Sequence, residues 1–278
     1  MVELFSVGPF TIHFFGLMIA LGVLAGLWLL KILAVKEQVD YKKIIDIGVM
    51  ALLGGVIGAR LFYIVFYNPE PYITNPVEIL MVQQGGLSIH GGLLAGIVTG
   101  LLLLKKHGLP IWKTLDIAGP GIILAQAISR IGCDIFGKPI SESWFWGITF
   151  NNEHLHPVQA YEFLFNYILL GYLIWLFHKK VYHGQVFWHY VISFMFIRGG
   201  VELFRINPQI LGFFSVSHLL SLVGIIISLA MMNYCRKHNR LSRSSHTLTI
   251  KNLVKLTIII VCLMVVSLII YYGIHTWI

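Results

Sequence analysis

Eight long apolar runs follow one another along this chain, and each is long enough to cross a lipid bilayer, for which an α-helix needs about 20 residues. Hydrophobic residues make up 57% of the 278 positions and charged residues 12%, whereas soluble domains carry about 25% charged residues. The sequence therefore predicts an all-α, polytopic integral membrane protein. The runs lie roughly at 10–34, 44–67, 88–104, 114–132, 157–178, 185–205, 212–234 and 253–273.

Basic residues are distributed unevenly between the two sides of this predicted bundle. Alternate connections, with Lys31 and Lys255 at adjacent helix ends, hold 15 of the 20 lysines and arginines. Because basic loops stay in the cytoplasm, we expect both termini on the outer side. The net charge of +8 is then explained by the basic loops on the cytoplasmic side. For the tail 236–251, contact with anionic lipid is the alternative explanation. No nucleic-acid partner is expected. The connections read KEQVDYKK, KKHGLPIWK, HKK and CRKHNRLSRSSHTLTIK.

The remaining cations fall on or near the outer side. An arginine near the centre of a bilayer costs about 2.5–3.5 kcal/mol on insertion scales, so the four arginines among them need a physical reason. Only Glu162 and Glu202 are acidic residues embedded in that half of the predicted bundle, which leaves positive charge in excess. Such an excess predicts an anionic ligand, and because guanidinium geometry suits phosphate, a phospholipid headgroup. These cations are Arg60, Arg130, Lys138, Arg198 and Arg205.

The segment MFIRGGVELFR carries three of the charges at helical spacing. Arg198, Glu202 and Arg205 stand at i, i+4 and i+7, so that on a helix they share one face. Two interpretations remain open at this point. Arg198 and Glu202 form an ion pair that joins two helices, or the three residues form a phosphate-binding face in which Glu202 orients an arginine.

His90 lies between two glycine pairs in the stretch GGLSIHGGLLAG, at the predicted outer start of the third span. Gly91 and Gly92 allow a ligand or another backbone to come close, and a helix N-terminus offers N–H groups to an anion. His90 is either a packed core histidine or a general base that works near neutral pH.

Further polar residues open the fifth predicted span, in the stretch HPVQAYEF. Gln159 and Tyr161 are interpreted either as interfacial anchors or as part of a headgroup pocket. Gly132 and Cys133 follow the arginine that ends the fourth span, and Cys133 is interpreted chiefly as a small buried hydrophobe. A covalent role for Cys133 is the alternative.

Several common catalytic signatures are missing from the sequence. It contains no P-loop, HExxH, paired CxxC or GxSxG motif, so that nucleotide use, zinc proteolysis and serine hydrolysis have no support. The three cysteines lie far apart and suggest neither a disulfide framework nor a metal cluster. We expect neither a cofactor nor a metal site.

Residues 8–235 resemble the bacterial prolipoprotein diacylglyceryl transferases. The stretches that carry the resemblance follow the order of the family's blocks, and its H-G-G and R-x-x-x-E-x-x-R blocks are fairly specific. They are VGPFTIHFFGLMIALG, GARLFYIVFYN, GGLSIHGGLLAG, LDIAGPGIILAQAISRIG, HPVQAYE and RGGVELFR.

The resemblance implies an enzyme that moves the diacylglyceryl group of phosphatidylglycerol onto the lipobox cysteine of a prolipoprotein, with glycerol-1-phosphate as leaving group. It also implies a bacterial cytoplasmic membrane with the active site facing the outer leaflet. By resemblance the catalytic residues are His90, Arg130, Arg198 and Glu202, and the substrate-binding residues are Arg60, Gly91, Gly92, Gly132, Gln159, Tyr161 and Arg205.

The chain differs from the family pattern at three places. In its first span Phe14, Phe15 and Gly16 stand where the family has Trp-Tyr-Gly. After the arginine of its signature loop the family reads G-N-F-x-N-x-E-x-x-G, whereas this chain has a shorter segment from Gly132 to Lys138, in which Cys133 replaces the first asparagine. Asp134 or Glu142 is a candidate to replace the missing glutamate. The family also has seven spans, so we expect residues 1–235 to form the transferase-like domain and 236–278 to add a basic loop and an eighth span.

Three functions are consistent with these features. The first is an active diacylglyceryl transferase with a remodelled loop. The second is a divergent relative with another donor, another acceptor or a binding role alone. The third is a transporter of lipids or organic anions, which the clustering of charges in one leaflet and the lack of a repeated motif disfavour.

Overall fold

The computed structural model describes residues 2–7, 10–67, 69–81, 85–140, 144–150, 152–207, 209–211, 214–241 and 249–275. Within these ranges, eight α-helices have 18 residues or more, one for each predicted run. In chain order, with one short helix between the second and third long ones, the helices are α1 (Phe14–Lys36), α2 (Tyr41–Phe66), α3 (Glu70–Thr74), α4 (Ile89–Lys106), α5 (Ile111–Ile131), α6 (Val158–Lys179), α7 (Gln185–Glu202), α8 (Val216–His238) and α9 (Ile250–His275). A 3-10 helix, Pro76–Leu80, follows α3.

In the described part of the chain, three short antiparallel hairpins lie just before long helices. Strands β1 and β2 precede α1, β3 and β4 precede α6, and β5 and β6 precede α8. The predicted first span therefore starts too early, because its residues 10–13 form β2 rather than helix. The strands are β1 (Glu3–Val7), β2 (Phe10–His13), β3 (Ile148–Phe150), β4 (Glu153–Leu155), β5 (Gln209–Leu211) and β6 (Phe214–Ser215).

The long helices make this a polytopic membrane protein, as predicted. In the described part of the chain, six of them are long and apolar enough to cross a membrane: α1, α2, α4, α6, α8 and α9. The other two, α5 and α7, carry charged side chains that include Asp116, Arg130, Arg198 and Glu202. A membrane helix tolerates such groups where they contact protein rather than lipid.

Polar side chains fix the starts of two long helices. Asp40 caps α2 by accepting from the backbone N–H groups of Lys42 and Lys43, at 3.1 and 3.4 Å. Asp116 of α5 accepts from the N–H groups of Gly184 and Phe187 at the start of α7, at 2.8 and 3.0 Å. The first turn of a helix leaves such donors without intrahelical partners, so a buried acceptor from another helix fixes where α7 begins.

The helices divide into two units, and residues 31–114 form one of them. Helices α2 and α4 pack closely within it, because small residues face one another along both. A Cβ added to Gly58 would meet Ala95, and one added to Gly91 would meet Phe62. Small residues at such crossings let two membrane helices approach closely and gain van der Waals contact.

Residues 1–30 and 115–278 form the other unit. Within this unit, α1 packs closely against α5. A Cβ at Gly22 would lie 2.6 Å from the carbonyl oxygen of Ala125, and one at Gly26 would lie 2.6 Å from the carbonyl oxygen of Gly121. Helix α7 packs against both α6 and α8, and α9 packs against α6. This bundle holds the end of α5, the start of α6 and the end of α7 close together.

Candidate active site

Arg130 and Glu162 join the end of α5 to the start of α6. Arg130 lies in the last turn of α5, and its Nε is 2.9 Å from Oε1 of Glu162. The Glu162 side chain is almost fully buried, whereas 28% of the Arg130 side chain is exposed. The carboxylate is thus enclosed by protein, while part of the Arg130 side chain stays exposed.

Glu202 is the centre of a second group at the end of α7. Its Oε2 lies 3.2 Å from Nη2 of Arg198 and 3.9 Å from Nε of Arg205. Its Oε1 accepts from Nδ2 of Asn207 at 2.6 Å and from Oγ of Ser215 at 2.8 Å. The carboxylate, only 1% exposed as a side chain, is therefore held from several directions in one orientation.

The two groups form one cluster, because Arg205 interacts electrostatically with Arg130 and Glu162 as well as with its neighbours on α7. Three guanidiniums then surround two carboxylates, which leaves one positive charge in excess within the cluster. Nη1 of Arg198 is buried and makes no hydrogen bond to any residue in the described ranges. A cluster of this composition suits an anion that accepts hydrogen bonds, such as a phosphate.

The shortened signature loop is fixed beside this cluster by backbone contacts. The backbone N–H of Lys138 donates to the carbonyl of Phe204 at 2.8 Å, and Nζ of Lys138 donates to the carbonyl of Leu203 at 2.9 Å. Cys133 is buried, as its chief interpretation required. Glu142, one candidate for the missing glutamate, lies outside the described residues.

Aromatic residues line the neighbouring surface. The hydroxyl oxygen of Tyr161 accepts from Nε1 of Trp146 at 3.2 Å and lies 3.2 Å from Nδ1 of His156. Partial burial lowers the pKa of His156, and the positive charge of Lys138 lowers it further. His156 is therefore held towards its neutral form, in which one ring nitrogen can accept a hydrogen bond.

Arg60 belongs to the unit of residues 31–114, where its guanidinium holds the loop after α3. It donates to the carbonyls of Ile79 at 3.1 Å, Gly85 at 2.6 Å and Gly86 at 3.0 Å, and it also reaches those of Glu78 and Met81. These carbonyls occupy its donors, so the observed contacts are those of a loop anchor. A substrate contact by Arg60 stays a prediction.

His90 and its glycine neighbours lie at the start of α4 in the same unit. His90 is exposed at the second position of the helix. Gly91 and Gly92 face α2, where a Cβ at Gly92 would lie 3.3 Å from the Cβ of Ala59. Close helix packing thus accounts for both glycines, and the catalytic role of His90 and the substrate contacts of Gly91 and Gly92 stay predictions.

Gly132 also has a packing explanation, in the larger unit. A Cβ at this position would lie 2.9 Å from Cγ of Met18 and 2.9 Å from Cα of Phe15. The position therefore requires glycine so that the end of α5 can approach α1. Its predicted contact with substrate remains a prediction.

Two residues of the cluster were not foreseen from the sequence. Asn207 and Ser215 both donate to Glu202, from the segment after α7 and from the position just before α8. Ser215 also forms a capping box with His218, although a histidine at this position departs from the S/T-x-x-E/Q pattern that signals such a box in a sequence. Nothing in the sequence pattern links either residue to Glu202.

Fold and site together define a polytopic membrane protein in which partly buried arginines meet at one end of a helical bundle. Residues 2–234 match the family described as prolipoprotein diacylglyceryl transferase. The chain belongs to this family. It is therefore a membrane-embedded transferase of lipoprotein biosynthesis, which settles the choice between an enzyme and a transporter.

Curated relatives agree with this assignment. Three of them, from Bacillus cereus (strain 03BB102), Bacillus thuringiensis subsp. konkukian (strain 97-27) and Bacillus mycoides (strain KBAB4), are named phosphatidylglycerol–prolipoprotein diacylglyceryl transferase. Each is 31% identical to this chain over 246 residues, which cover 84% of the chain and 91% of the relative. The family match ends before α9 begins.

Proposed function

We propose that this protein transfers the diacylglyceryl group of phosphatidylglycerol to the lipobox cysteine of a prolipoprotein. The observation that carries the proposal is the excess of guanidinium over carboxylate groups around Arg130, Arg198 and Arg205. A phosphate-bearing substrate would neutralise that excess. The relatives are named for phosphatidylglycerol as the donor lipid and a prolipoprotein as the acceptor.

The proposed step is a displacement at carbon. The cysteine thiolate attacks the glycerol carbon that bears the phosphate, a C–S bond forms, and the C–O bond breaks with its electron pair on the leaving phosphate oxygen. Glycerol-1-phosphate departs and the acceptor carries a thioether. The reaction needs a deprotonated thiol, alignment of the three reacting atoms, and positive charge on the leaving phosphate.

The cluster is suited to the third of these needs. Arg198, Arg205 and Arg130 would bind the phosphate and stabilise the charge that develops on it, whereas Glu202 and Glu162 orient the guanidiniums. Removal of the thiol proton is assigned to His90, and that assignment rests on the sequence resemblance. Arg60, Gly91, Gly92, Gly132, Gln159 and Tyr161 remain proposed substrate-binding residues on the same ground.

We place the enzyme in the bacterial cytoplasmic membrane, with this cluster in the outer leaflet. The support is the uneven charge distribution, because basic connections stay in the cytoplasm. In the larger unit, α8 ends with Arg236, Lys237 and His238, whereas the arginine cluster lies near its start, beside Ser215. The lipobox segment of an exported protein would meet the site on that outer side.

The proposal is tested by incubating the purified full chain with phosphatidylglycerol and a lipobox peptide, followed by mass spectrometry of the peptide. A peptide mass increased by one diacylglyceryl group on the cysteine is the expected result. An unmodified peptide, beside a curated relative that modifies it under the same conditions, would contradict the proposal.

A pair of variants ties the activity to the cluster. Arg198→Ala should lower the rate of adduct formation by about 100-fold, the size found when one donor to a developing negative charge is removed. Arg236→Ala removes an exposed arginine at the opposite end of α8 and should leave the rate unchanged. Equal rates for the two variants would exclude a phosphate-binding role for Arg198.

A further inference from the structure

Helix α9 lies outside the family match, yet it is joined to α6 by buried polar contacts. The hydroxyls of Tyr167 on α6 and Ser267 on α9 are 2.9 Å apart. One turn beyond Ser267, the hydroxyl of Tyr271 donates to Oε1 of Gln159 at 3.1 Å. Tyr271 is 0% exposed and Gln159 is 1% exposed, so this second contact is shielded from lipid and water.

Gln159 connects α9 to the arginine cluster. It lies three residues before Glu162, so both side chains share one face of α6, and Glu162 binds Arg130. Nε2 of Gln159 is buried and forms no hydrogen bond with any residue in the described ranges. A buried amide donor without a partner is unfavourable, and an oxygen of a bound substrate would satisfy it.

The observed hydrogen bond, in which the Tyr271 hydroxyl donates to Oε1, sets which end of the Gln159 side chain is offered to a ligand. A tyrosine hydroxyl that donates to the carbonyl oxygen leaves the NH₂ group on the other side of the carboxamide. Without that contact the carboxamide could turn over and present its oxygen, which would repel a phosphate or ester oxygen. In the observed hydrogen bond Tyr271 therefore holds Gln159 with its NH₂ group available to a ligand.

Two further contacts hold the same end of α9. The hydroxyl of Tyr272 donates to the carbonyl of Trp146 at 2.6 Å, and the ring of His275 lies edge-on to that of Phe136, with centroids 5.6 Å apart. Phe136 belongs to the shortened signature loop. The end of α9 is therefore tied both to that loop and to the segment before β3.

From these contacts we infer that α9 is a positioning element of the active site: Tyr271 orients Gln159 so that its Nε2 donates to an oxygen of the donor lipid's phosphoglycerol headgroup. The inference rests on the proposed function for the identity of the lipid. It assigns a role to a helix for which the family match gives none. Tyr271 is a positioning residue and itself touches no substrate.

The test compares Tyr271→Phe with Tyr167→Phe in the full chain. Each variant removes one buried hydroxyl contact between α6 and α9, but Tyr167 is two turns farther along α6 from Gln159. Tyr271→Phe should lower kcat/KM for phosphatidylglycerol by roughly threefold to tenfold, the effect expected for one buried hydrogen bond. Tyr167→Phe should leave kcat/KM unchanged while lowering thermal stability to a similar extent. Equal losses of kcat/KM would reduce Tyr271 to a packing role and overturn the inference.

A double-mutant cycle tests the route through Gln159. In a Gln159→Ala background, Tyr271→Phe should have no further effect on kcat/KM, because the group that it orients is gone. An undiminished effect in that background would overturn the inference, since Tyr271 would then act by another route.

Binding of phosphatidylglycerol, measured by native mass spectrometry without any acceptor, separates this inference from the proposed function. If the unchanged chain gives no thioether, the proposed function fails, and the binding comparison still decides the role of Tyr271. Weaker binding by Tyr271→Phe than by Tyr167→Phe would support the inference. Equal binding by these two variants would refute it.

Discussion

Glu202 illustrates how a single carboxylate can organise a cationic site without neutralising it. Asn207 and Ser215 hold its Oε1, so Oε2 is directed at Arg198 and Arg205. Two neutral donors thereby set the orientation of a charged acceptor. The side chains of Arg198 and Arg205, which it orients, remain 22% and 13% exposed.

Glu202→Gln should destabilise the protein and weaken its activity. Removal of one partner from a buried ion pair costs about 3–5 kcal/mol where the remaining charge stays buried, and the partial exposure of both arginines places the expected loss near the lower bound. The midpoint of thermal unfolding in detergent, measured together with kcat/KM, checks this expectation.

Glu153→Gln is the matched control, because Glu153 is an exposed carboxylate of β4 in the same unit. This variant should keep both the midpoint and kcat/KM of the unchanged chain. A Glu202→Gln variant that behaved like it would show that the carboxylate charge does not organise the arginines.

The sequence predicts part of this cluster for a clear reason. The pairing of Arg198 with Glu202 follows from helical periodicity, since residues four apart are neighbours on a helix. The pairing of Arg130 with Glu162 depends instead on how α5 packs against α6, which no local pattern encodes. The donors Asn207 and Ser215 likewise reach Glu202 through tertiary structure alone.

At the scale of elements, glycines decide how closely α1 and α5 approach. Gly22→Ala would place a methyl group 2.6 Å from the carbonyl oxygen of Ala125, and a backbone oxygen cannot rotate away. Overpacking costs about 1–3 kcal/mol, whereas replacing glycine by alanine in a helix gains about 1 kcal/mol. We therefore expect a net loss of stability, measured as a lower midpoint of thermal unfolding in detergent.

Gly16→Ala provides the comparison within the same helix. A Cβ at Gly16 meets no atom within 4 Å. This variant should keep or raise the midpoint, because it gains helix propensity without a steric cost. If Gly22→Ala proved as stable as Gly16→Ala, close contact between α1 and α5 would not be what limits stability.

Hydropathy predicts the number of long helices but not all of their ends. Residues 10–13, predicted as the start of the first span, form β2 instead, and their sequence FTIH alternates apolar and polar residues as a strand does. The predicted span 185–205 likewise outlasts α7, which ends at Glu202, and Arg205 lies in the following turn. Both differences occur where polar groups or hairpins redirect the chain.

At the scale of the whole molecule, the family relationship and the packing divide the chain differently. The family match ends at residue 234, and the sequence predicts a transferase-like domain of 1–235 followed by an appended segment of 236–278. That division stays a proposal. Packing places α9 in the same unit as α5, α6, α7 and α8, so a segment appended to the family's length belongs physically to the bundle that holds the arginine cluster.

The charge asymmetry of the whole chain predicts which side of the membrane this cluster faces. Phe145, in the segment before β3, is 93% exposed, and Lys237 is exposed at the opposite end of α8. In a background without Cys133, Cys235 and Cys262, Phe145→Cys should react with a membrane-impermeant maleimide on intact cells. Lys237→Cys should react only after permeabilisation, because basic helix ends stay in the cytoplasm. The reverse pattern would place the arginines in the cytoplasmic leaflet, where an exported lipobox could not meet them, and the outer-leaflet proposal would have to be abandoned.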